Sequence, residues 1–563
     1  MITLRRARFI GSCGLFASTT LAAFASVALA QGQPPIPLPS VAPAPLGNPV
    51  TTAKANLGKV LFWDEQLSSN GSVACGTCHV SSAGGSDPRT AQLGPASVHP
   101  GADRTHGTAD DVFGSPGVTL ANANGSYALD AVFRLQRQIT PRRSMSVINT
   151  GFVPLQFWSG RAPDTFKDPI TGAVVIAQGA SLETQVLEPS VSAAEMGHLG
   201  RNWTAVAAKI AGSTPLRLAS NVPPALAAWI NGRSYPALFQ EAFGSLDVMP
   251  VRIAMAIATY ERTLVSNQTP YDAFLGGNSA ALTPLETQGL QVFNGVGRCN
   301  VCHTGPLLSD NLFHYNGVRP HNEDRGRAYE TGLISDRGAM RTSSLRNVEL
   351  RPPYFHNGRM ANLSEVIDFY DRGGDFTAAN KAPSVAPIGL TAGEKAALLA
   401  FLTRPLTDPR VAAEIAPFDR PTLASETNAL PAHYGAPTPG AGGIAPTLVA
   451  FEPALIGAPM TIGIDGGHAG KEAVLLMGTA SLFTGLPFQG SSLHVDLGSL
   501  TQVKRIGPLN GIGVGKGWGS ATAAVANDPQ LIGTQIFAQW LVIDPLGGGQ
   551  RLCSTDAVAI THR

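Results

Sequence analysis

Cys75-Gly76-Thr77-Cys78-His79 reads C-x-x-C-H, and the same pattern returns as Cys299-Asn300-Val301-Cys302-His303. Two thiols at this spacing reach the two vinyl groups on one edge of a porphyrin while the adjacent imidazole turns onto the iron, so each copy supplies covalent tether and axial ligand together. A lone C-x-x-C pair would also suit a redox dithiol or half of a zinc site. Two copies, each followed directly by histidine, argue for two covalently bound c-type haems. Cys75, Cys78, Cys299 and Cys302 are the attachment points, and His79 and His303 the iron ligands.

The chain that carries these motifs has 563 residues and 44% hydrophobic content, enough to bury more than one core. Lys and Arg number 40 against 39 Asp and Glu. Such a balance gives no global field to attract nucleic acid or an anionic membrane surface. Arg5, Arg6 and Arg8 precede an apolar run over residues 9–30 that ends in Ala28-Leu29-Ala30. This is the form of a secretory signal over residues 1–30, with no membrane span expected once it is removed. A membrane anchor is the alternative, but Gly, Ser and Thr dilute the run and a Pro-rich segment follows it. Export suits the haems, so a periplasmic or secreted protein is expected. Of six cysteines, Cys13 leaves with the signal and four belong to the haem motifs; Cys553 remains, and a disulfide framework within the mature chain is excluded.

Outward from the motifs the chain divides into six stretches. After the signal, residues 31–50 form a Pro/Ala-rich, weakly ordered lead-in. Residues 51–278 are a first haem domain, opened by a helical stripe through Leu57, Val60, Leu61 and Phe62. Within it the polar segment between His79 and Pro141 reads as a long surface loop. Its carboxylates from Asp103 to Asp110 and Asp111 could hold Ca²⁺, although they match no full calcium loop and a solvated turn is the simpler reading. His99 and His106, in the same loop, could reach the first iron. A helical pattern runs from Trp158 to Arg262, with Ile253, Ile257, Tyr260 and Leu264 on one face.

Residues 279–405 are a second haem domain, with helix starts at Thr283-Pro284-Leu285-Glu286, Asn362 and Thr391-Ala392-Gly393-Glu394. Residues 406–445 read as a linker rich in Pro, Ala and Gly. Residues 446–563 carry short strand-like runs at 447–451, 461–465, 474–477, 493–497, 535–544 and 557–561, which predict a small β-sandwich. The expected fold is therefore mainly α, two cytochrome c-like all-α haem domains followed by an all-β domain of no evident catalytic content. Asp465, His468 and Cys553 in that last domain read as structural.

Several short signatures around the motifs resemble the bacterial di-haem cytochrome c peroxidase and MauG family over residues 53–403. They are Leu57-Gly58-Lys59-Val60-Leu61-Phe62-Trp63, Phe157-Trp158-Ser159-Gly160-Arg161-Ala162, Glu195-Met196, Leu345-Arg346-Asn347, and Pro353-Tyr354-Phe355-His356-Asn357-Gly358. The resemblance implies that Glu195 is the acid–base of a peroxide pocket, Gln185 its companion, and Trp158 the aromatic between the two haems. It also implies a distal ligand on the second haem, fourteen residues beyond His356, where the peroxidases have methionine and MauG has tyrosine. Here that residue is Tyr370, with Met340 and Met360 as rivals. A phenolate stabilises the higher iron oxidation states, whereas a thioether does the reverse.

Two features depart from the family. The insertion between His79 and Pro141 leaves the usual distal histidine of the peroxidases unplaced, so a five-coordinate, open first haem is expected. Arg143 stands where the family usually has an asparagine that binds an inter-domain Ca²⁺, which counts against calcium there. The function expected is that of a MauG-type di-haem peroxidase. It would reduce hydrogen peroxide at the first haem and pass electrons or oxidising equivalents through the second. Its partner would be a small cytochrome c or cupredoxin, or an oxidisable protein or small molecule. The alternative, from a different class, is a non-enzymatic di-haem electron-transfer or surface-binding protein whose β-domain is the working part.

Overall fold

The computed structural model describes residues 37–92, 97–427, 431–544 and 551–563; the expected signal segment lies outside the described residues. The helix Thr52–Phe62 starts where the Thr51 side chain accepts the Lys54 N–H, and it buries Leu57, Val60, Leu61 and Phe62. It crosses the helix Pro250–Glu261, whose Ile253, Ala254 and Ile257 fill the same core. At the crossing sits Gly58, where a Cβ would lie 1.9 Å from the Ala256 carbonyl oxygen. The backbones touch because Gly58 presents no side chain there.

The second half repeats the device. Pro284–Asn294, opened by a capping box between Thr283 and Glu286, crosses Ala392–Leu402, opened by one between Thr391 and Glu394. Gly289 lies at that crossing, with 2.0 Å from an added Cβ to the Ala397 carbonyl oxygen. Each C-x-x-C-H follows the first helix of its pair, as the short helix Cys75–Cys78 and as the 3₁₀ turn Cys299–Val301. The two halves keep separate cores. One gathers Phe166, Tyr235 and Phe239 around the first pair; the other gathers Leu363, Ile367 and Phe401 around the second.

Four stretches differ from their sequence reading. The expected linker is docked over its first half: Val411, Phe418 and Leu423 are fully buried in the first core. Lys59 pairs with Asp419 at 2.8 Å, and the buried Glu65 carboxylate accepts the Ala424 and Ser425 N–H groups. Three apolar anchors in a Pro-rich background are enough to hold a strap. The lead-in likewise docks from residue 37 onward, through buried Leu38, Ala42 and Asn48. The segment between His79 and Pro141 is only partly a surface loop, since it forms the short pairs Val98–His99 with Val112–Phe113 and Pro116–Thr119 with Arg137–Ile139. Val118, Tyr127, Leu135 and Ile139 are buried. The carboxylates of Asp110 and Asp111 accept main-chain N–H groups of Ala102, Asp103 and Gly107, which makes them braces of the turn. The helical reading from Trp158 also starts late, since Phe166–Lys167 and Val174–Ile176 pair as a hairpin before the first helix at Ser181–Val186.

The C-terminal region is two antiparallel sheets over one core, with a two-stranded ribbon, Ser481–Phe488 paired with Ser491–Val495, added to them. One sheet places Leu500–Ile506, Ala473–Gly478, Gln535–Asp544, Arg551–Thr561 and Ala432–Tyr434 side by side in that order; the other places Thr447–Val449, Pro459–Gly467 and Gly517–Ala524. Leu475, Met477, Trp540 and Val558 of the first meet Ile462, Ile464 and Ala523 of the second. The sequence reading omitted Ala432–Tyr434, Ser481–Phe488, Leu500–Ile506 and Gly517–Ala524, short or partly exposed strands in which polar or small residues interrupt the apolar ones. Among the described residues no helix is long and apolar enough to cross a membrane.

The helix crossings make a stability prediction. Gly58→Ala and Gly289→Ala should each lower stability by about 1–3 kcal/mol, the usual cost of overpacking a close contact. Gly393→Ala, at an exposed position of Ala392–Leu402 with nothing within 4 Å of the added carbon, should not. Thermal unfolding of the three variants beside the parent checks the contrast.

Candidate active site

Cys75, Cys78 and His79 open onto a cavity of about 640 Å³. His79 is held by its ring Nδ1, 3.1 Å from the Gly85 carbonyl oxygen. A carbonyl can only accept, so Nδ1 carries the proton and Nε2 is the nitrogen available to a metal. Burial lowers the His79 pKa and favours the neutral ring. Gly76, inside the motif, packs against the Trp63 indole so closely that a Cβ would fall 2.2 Å from the ring.

Glu195 and Gln185 line the same cavity. Gln185 sits on the short helix Ser181–Val186, which is fastened by its neighbour Glu183. That buried carboxylate is bidentate to Arg262 at 2.8 and 2.9 Å and accepts from Asn48 at 2.8 Å. Positions 183 and 185 are about 200° apart around a helix, so anchoring one to the core turns the other away from it. Glu195 lies on a loop pinned by Arg201, whose Nη1 donates to the carbonyls of Leu67, Ser190 and Met196. From the other side the Val118 N–H donates to the Glu195 carbonyl at 3.1 Å. Gly117 makes this approach possible, since a Cβ there would meet the Ala194 carbonyl oxygen at 2.2 Å. Burial pushes the Glu195 carboxyl up to about 6; the Arg161 charge opposes that and the Glu188 charge adds to it. The carboxyl can therefore change protonation near neutral pH.

The second motif opens onto a narrower cavity lined by Cys299, Cys302, His303 and Tyr370. His303 repeats the arrangement of His79, with Nδ1 2.9 Å from the Leu308 carbonyl oxygen. Tyr370, on the helix Leu363–Asp371, packs against Phe355 and Phe369 and accepts a hydrogen bond from Asn316 Nδ2 at 3.4 Å. Burial pushes its hydroxyl up to about 12, a bias that a bound cation would reverse. Of its rivals, Met340 lines this cavity, whereas Met360 is buried with Val318 and Phe369 and is not part of the lining.

Trp158 walls both cavities, as do Arg143 and His356. Its indole N–H donates to the Arg143 carbonyl at 2.8 Å, and its ring meets the His356 ring edge-on at 6.1 Å. His99 lines the first cavity with its ring against Phe133; His106 packs on the same phenylalanine but is exposed and is not part of the lining.

The residues present fit a covalently held haem at each motif. Two thiols face each cavity beside a half-buried imidazole whose pKa burial lowers and whose second ring nitrogen is free. Burial raises both Cys75 and Cys78, the latter to about 12, which is unlike an activated dithiol. Around the second cavity Arg341 is buried and Arg351 half-buried, and both have buried Nε atoms without an acceptor and form no ion pair among the described residues. Carboxylates such as haem propionates are what that lining lacks.

Two lining residues escaped the sequence reading. Arg161, 3.6 Å above the Phe157 ring and paired with Glu188 at 2.8 Å, tunes Glu195 from within a signature that was quoted but not assigned. Glu261 ends an apolar helix with a buried Oε2 that meets no partner, and its carboxyl is pushed up to about 8 by burial. A carboxylate closing so apolar a run was the available signal.

Comparison with known proteins bears on the whole arrangement. A family model described as di-haem cytochrome c peroxidase matches residues 52–280. Cytochrome-c peroxidase IdrP1 of Pseudomonas sp. (strain SCT) is 30% identical over 452 residues, covering 74% of this chain and 96% of the relative. The methylamine utilization protein MauG of Methylorubrum extorquens is 29% identical over 370 residues, covering 65% and 81% respectively. A solved MauG-like protein associated with microbial copper homeostasis is 27% identical, covers 68% of this chain and 97% of its own, and superposes with a TM-score of 0.48. Family membership implies two c-type haems and hydrogen peroxide as substrate. With nearly the full length of IdrP1 matched, the chain belongs to the di-haem cytochrome c peroxidase family that includes MauG, and it is an oxidoreductase of the peroxidase type.

Proposed function

We propose that this protein is an exported peroxidase of MauG type, which reduces hydrogen peroxide in the cavity behind His79 and exchanges oxidising equivalents with the cavity behind His303. The observation that carries this reading is the convergence of Glu195 and Gln185 on the cavity that Cys75, Cys78 and His79 open onto. Bound haem would supply a redox-active iron at each motif, held by His79 in the first and by His303 and Tyr370 in the second.

The chain's own share of the work is with protons and position. Reducing hydrogen peroxide to two waters consumes two protons and two electrons. Breaking the O–O bond heterolytically is easier if one group takes the proton from the near oxygen and returns it to the leaving one. Glu195 is suited to both steps, because a carboxyl near pH 6 exchanges its proton readily at neutral pH. The Gln185 amide, fixed through the Glu183–Arg262 pair, orients the peroxide beside it. Trp158, which faces both cavities, is placed to relay an electron or a hole. In the second cavity, Tyr370 as an anionic oxygen ligand would favour the more oxidised states of the iron. Electrons would come from a small cytochrome c or cupredoxin, or from an oxidisable protein or small molecule.

Glu195→Gln should lower peroxide turnover by about 10²–10⁴-fold, the usual worth of general acid–base catalysis, with both haems still attached. Because the base must be ionised, the parent rate should rise with pH through about 6, and this limb should vanish in the variant. Stopped-flow peroxide consumption across pH 4–8 (roughly two units either side of the Glu195 pKa) measures both; an unchanged rate would sink the assignment. At the second haem, Tyr370→Phe should raise the reduction potential and alter the absorption spectrum by removing a phenolate. If spectroelectrochemistry instead shows that change for a Met340→Leu variant and none for Tyr370→Phe, Met340 is the ligand.

A further inference from the structure

Arg143 is 6% exposed at the joint between the two cavities and forms no ion pair among the described residues. All five of its guanidinium N–H groups nonetheless meet oxygen. Nε donates to Thr90 Oγ1 at 3.2 Å. Nη1 donates to the carbonyls of Arg351, at 3.0 Å, and Pro353. Nη2 donates to the Pro352 carbonyl at 3.0 Å and to Ser86 Oγ at 3.3 Å. A guanidinium has five donors and no acceptor, so its hydrogen-bonding capacity is used completely.

These acceptors come from both halves of the chain. Ser86 and Thr90 follow the first haem motif, and residues 351–353 lie beyond the second. Three carbonyls and two hydroxyls make a cage of hard, neutral oxygens, the kind of donor set that suits Ca²⁺. The cage is filled by a side chain. While the guanidinium fills the cage no acceptor is left for a divalent ion; the nearby Arg351 charge opposes the Arg143 charge, and the buried Asp87 carboxylate favours it. The main chain of Arg143 extends the joint, since its N–H donates to the His356 carbonyl at 2.8 Å and its carbonyl accepts the Trp158 indole N–H at 2.8 Å. Trp158 is held at its other end, where its carbonyl accepts the Arg341 N–H at 2.8 Å.

We propose that Arg143 is a built-in cation that does the work of a calcium ion at the joint between the two haem pockets, and that it acts as a positioning residue holding Trp158 in register with both. It makes no contact with peroxide and acts through Trp158. The part concerning Trp158 rests on the peroxidase reading given above; the part concerning calcium does not.

The test uses the full-length protein with both haems attached. Elemental analysis after dialysis should find no stoichiometric calcium, and EDTA should leave the haem spectra, the melting temperature and the peroxide-induced change at the second haem unaltered. Arg143→Asn, which opens the cage, should slow that change at the second haem at least tenfold, and added Ca²⁺ should restore it; Arg143→Lys, which keeps the charge, should retain more of it without calcium. Stoichiometric calcium in the parent, loss of the haem–haem response on chelation, or an Arg143→Asn protein that responds like the parent in EDTA would each overturn the proposal. So would a loss that calcium leaves unrepaired. If Arg143→Asn does not accumulate folded, the parent's calcium content and chelator response decide alone. A protein whose haems are both inert to peroxide would overturn the peroxidase reading instead, and metal content and melting temperature would still judge Arg143.

Discussion

In each half of the molecule an imidazole Nδ1 gives its proton to a main-chain carbonyl: His79 to Gly85 at 3.1 Å and His303 to Leu308 at 2.9 Å. Every other part of the two sites depends on this bond. It fixes the tautomer, aims Nε2, and ties the ring to a turn that the motif itself does not contain. The turn must then be held, which is what the helix pairs accomplish. Gly58 against Ala256 and Gly289 against Ala397 bring one helix of each pair to backbone contact with the other, so the thiols that follow emerge at a set distance from the core. The repeat is one of mechanism and not of sequence, for the two helix pairs share little beyond a glycine and a cap.

Near-zero net charge conceals a marked segregation of charge inside. Arg143 at the joint and Arg341 and Arg351 at the second cavity form no ion pair among the described residues, and burial lowers each of their pKa values to about 10, leaving them protonated at neutral pH, while the charge of the buried Asp87 carboxylate acts on Arg143. In the lining of the first cavity the Glu195 and Glu261 carboxyls rise to about 6 and 8. Uncompensated buried charge is costly, so it persists only where a partner or a full set of hydrogen bonds is supplied. Arg143 has the hydrogen bonds. Arg341 and Arg351 have Nε atoms that still lack acceptors, on the side where an anionic cofactor edge would supply them.

The sequence disclosed what is local and periodic. Two C-x-x-C-H motifs, the capping boxes at Thr283 and Thr391, and the strand runs of the C-terminal region each carry their signal within a dozen residues. The long-range contacts were not legible for the same reason. Nothing near Phe418 or Leu423 says that they dock on a helix more than three hundred residues earlier. Tyr127 and Arg134 in a polar segment look solvated until Thr461 and Asp465 are brought to them from the far end of the chain. Arg143 could be seen only as a departure from a family pattern. Its meaning appears when residues 86, 90 and 351–353 converge around it.

Those contacts of Tyr127 and Arg134 give the β-sandwich a place in the site's mechanics. Asp465 binds Arg134 through both oxygens at 2.6 and 2.8 Å, and the Tyr127 hydroxyl donates to the Thr461 carbonyl at 3.1 Å. Ser520 Oγ accepts the Tyr127 N–H at 3.0 Å. The segment so clasped joins the strands Pro116–Thr119 and Arg137–Ile139, and the first of these carries Val118, whose N–H holds the Glu195 carbonyl. Ala121, on the same segment, accepts the Leu199 N–H at 2.8 Å, just beyond Glu195. Among the described residues the sandwich supplies none to the lining of either cavity. It fixes instead the far end of the ribbon against which Glu195 rests, and a loop braced at both ends keeps a carboxylate where a free insertion of this length would let it wander.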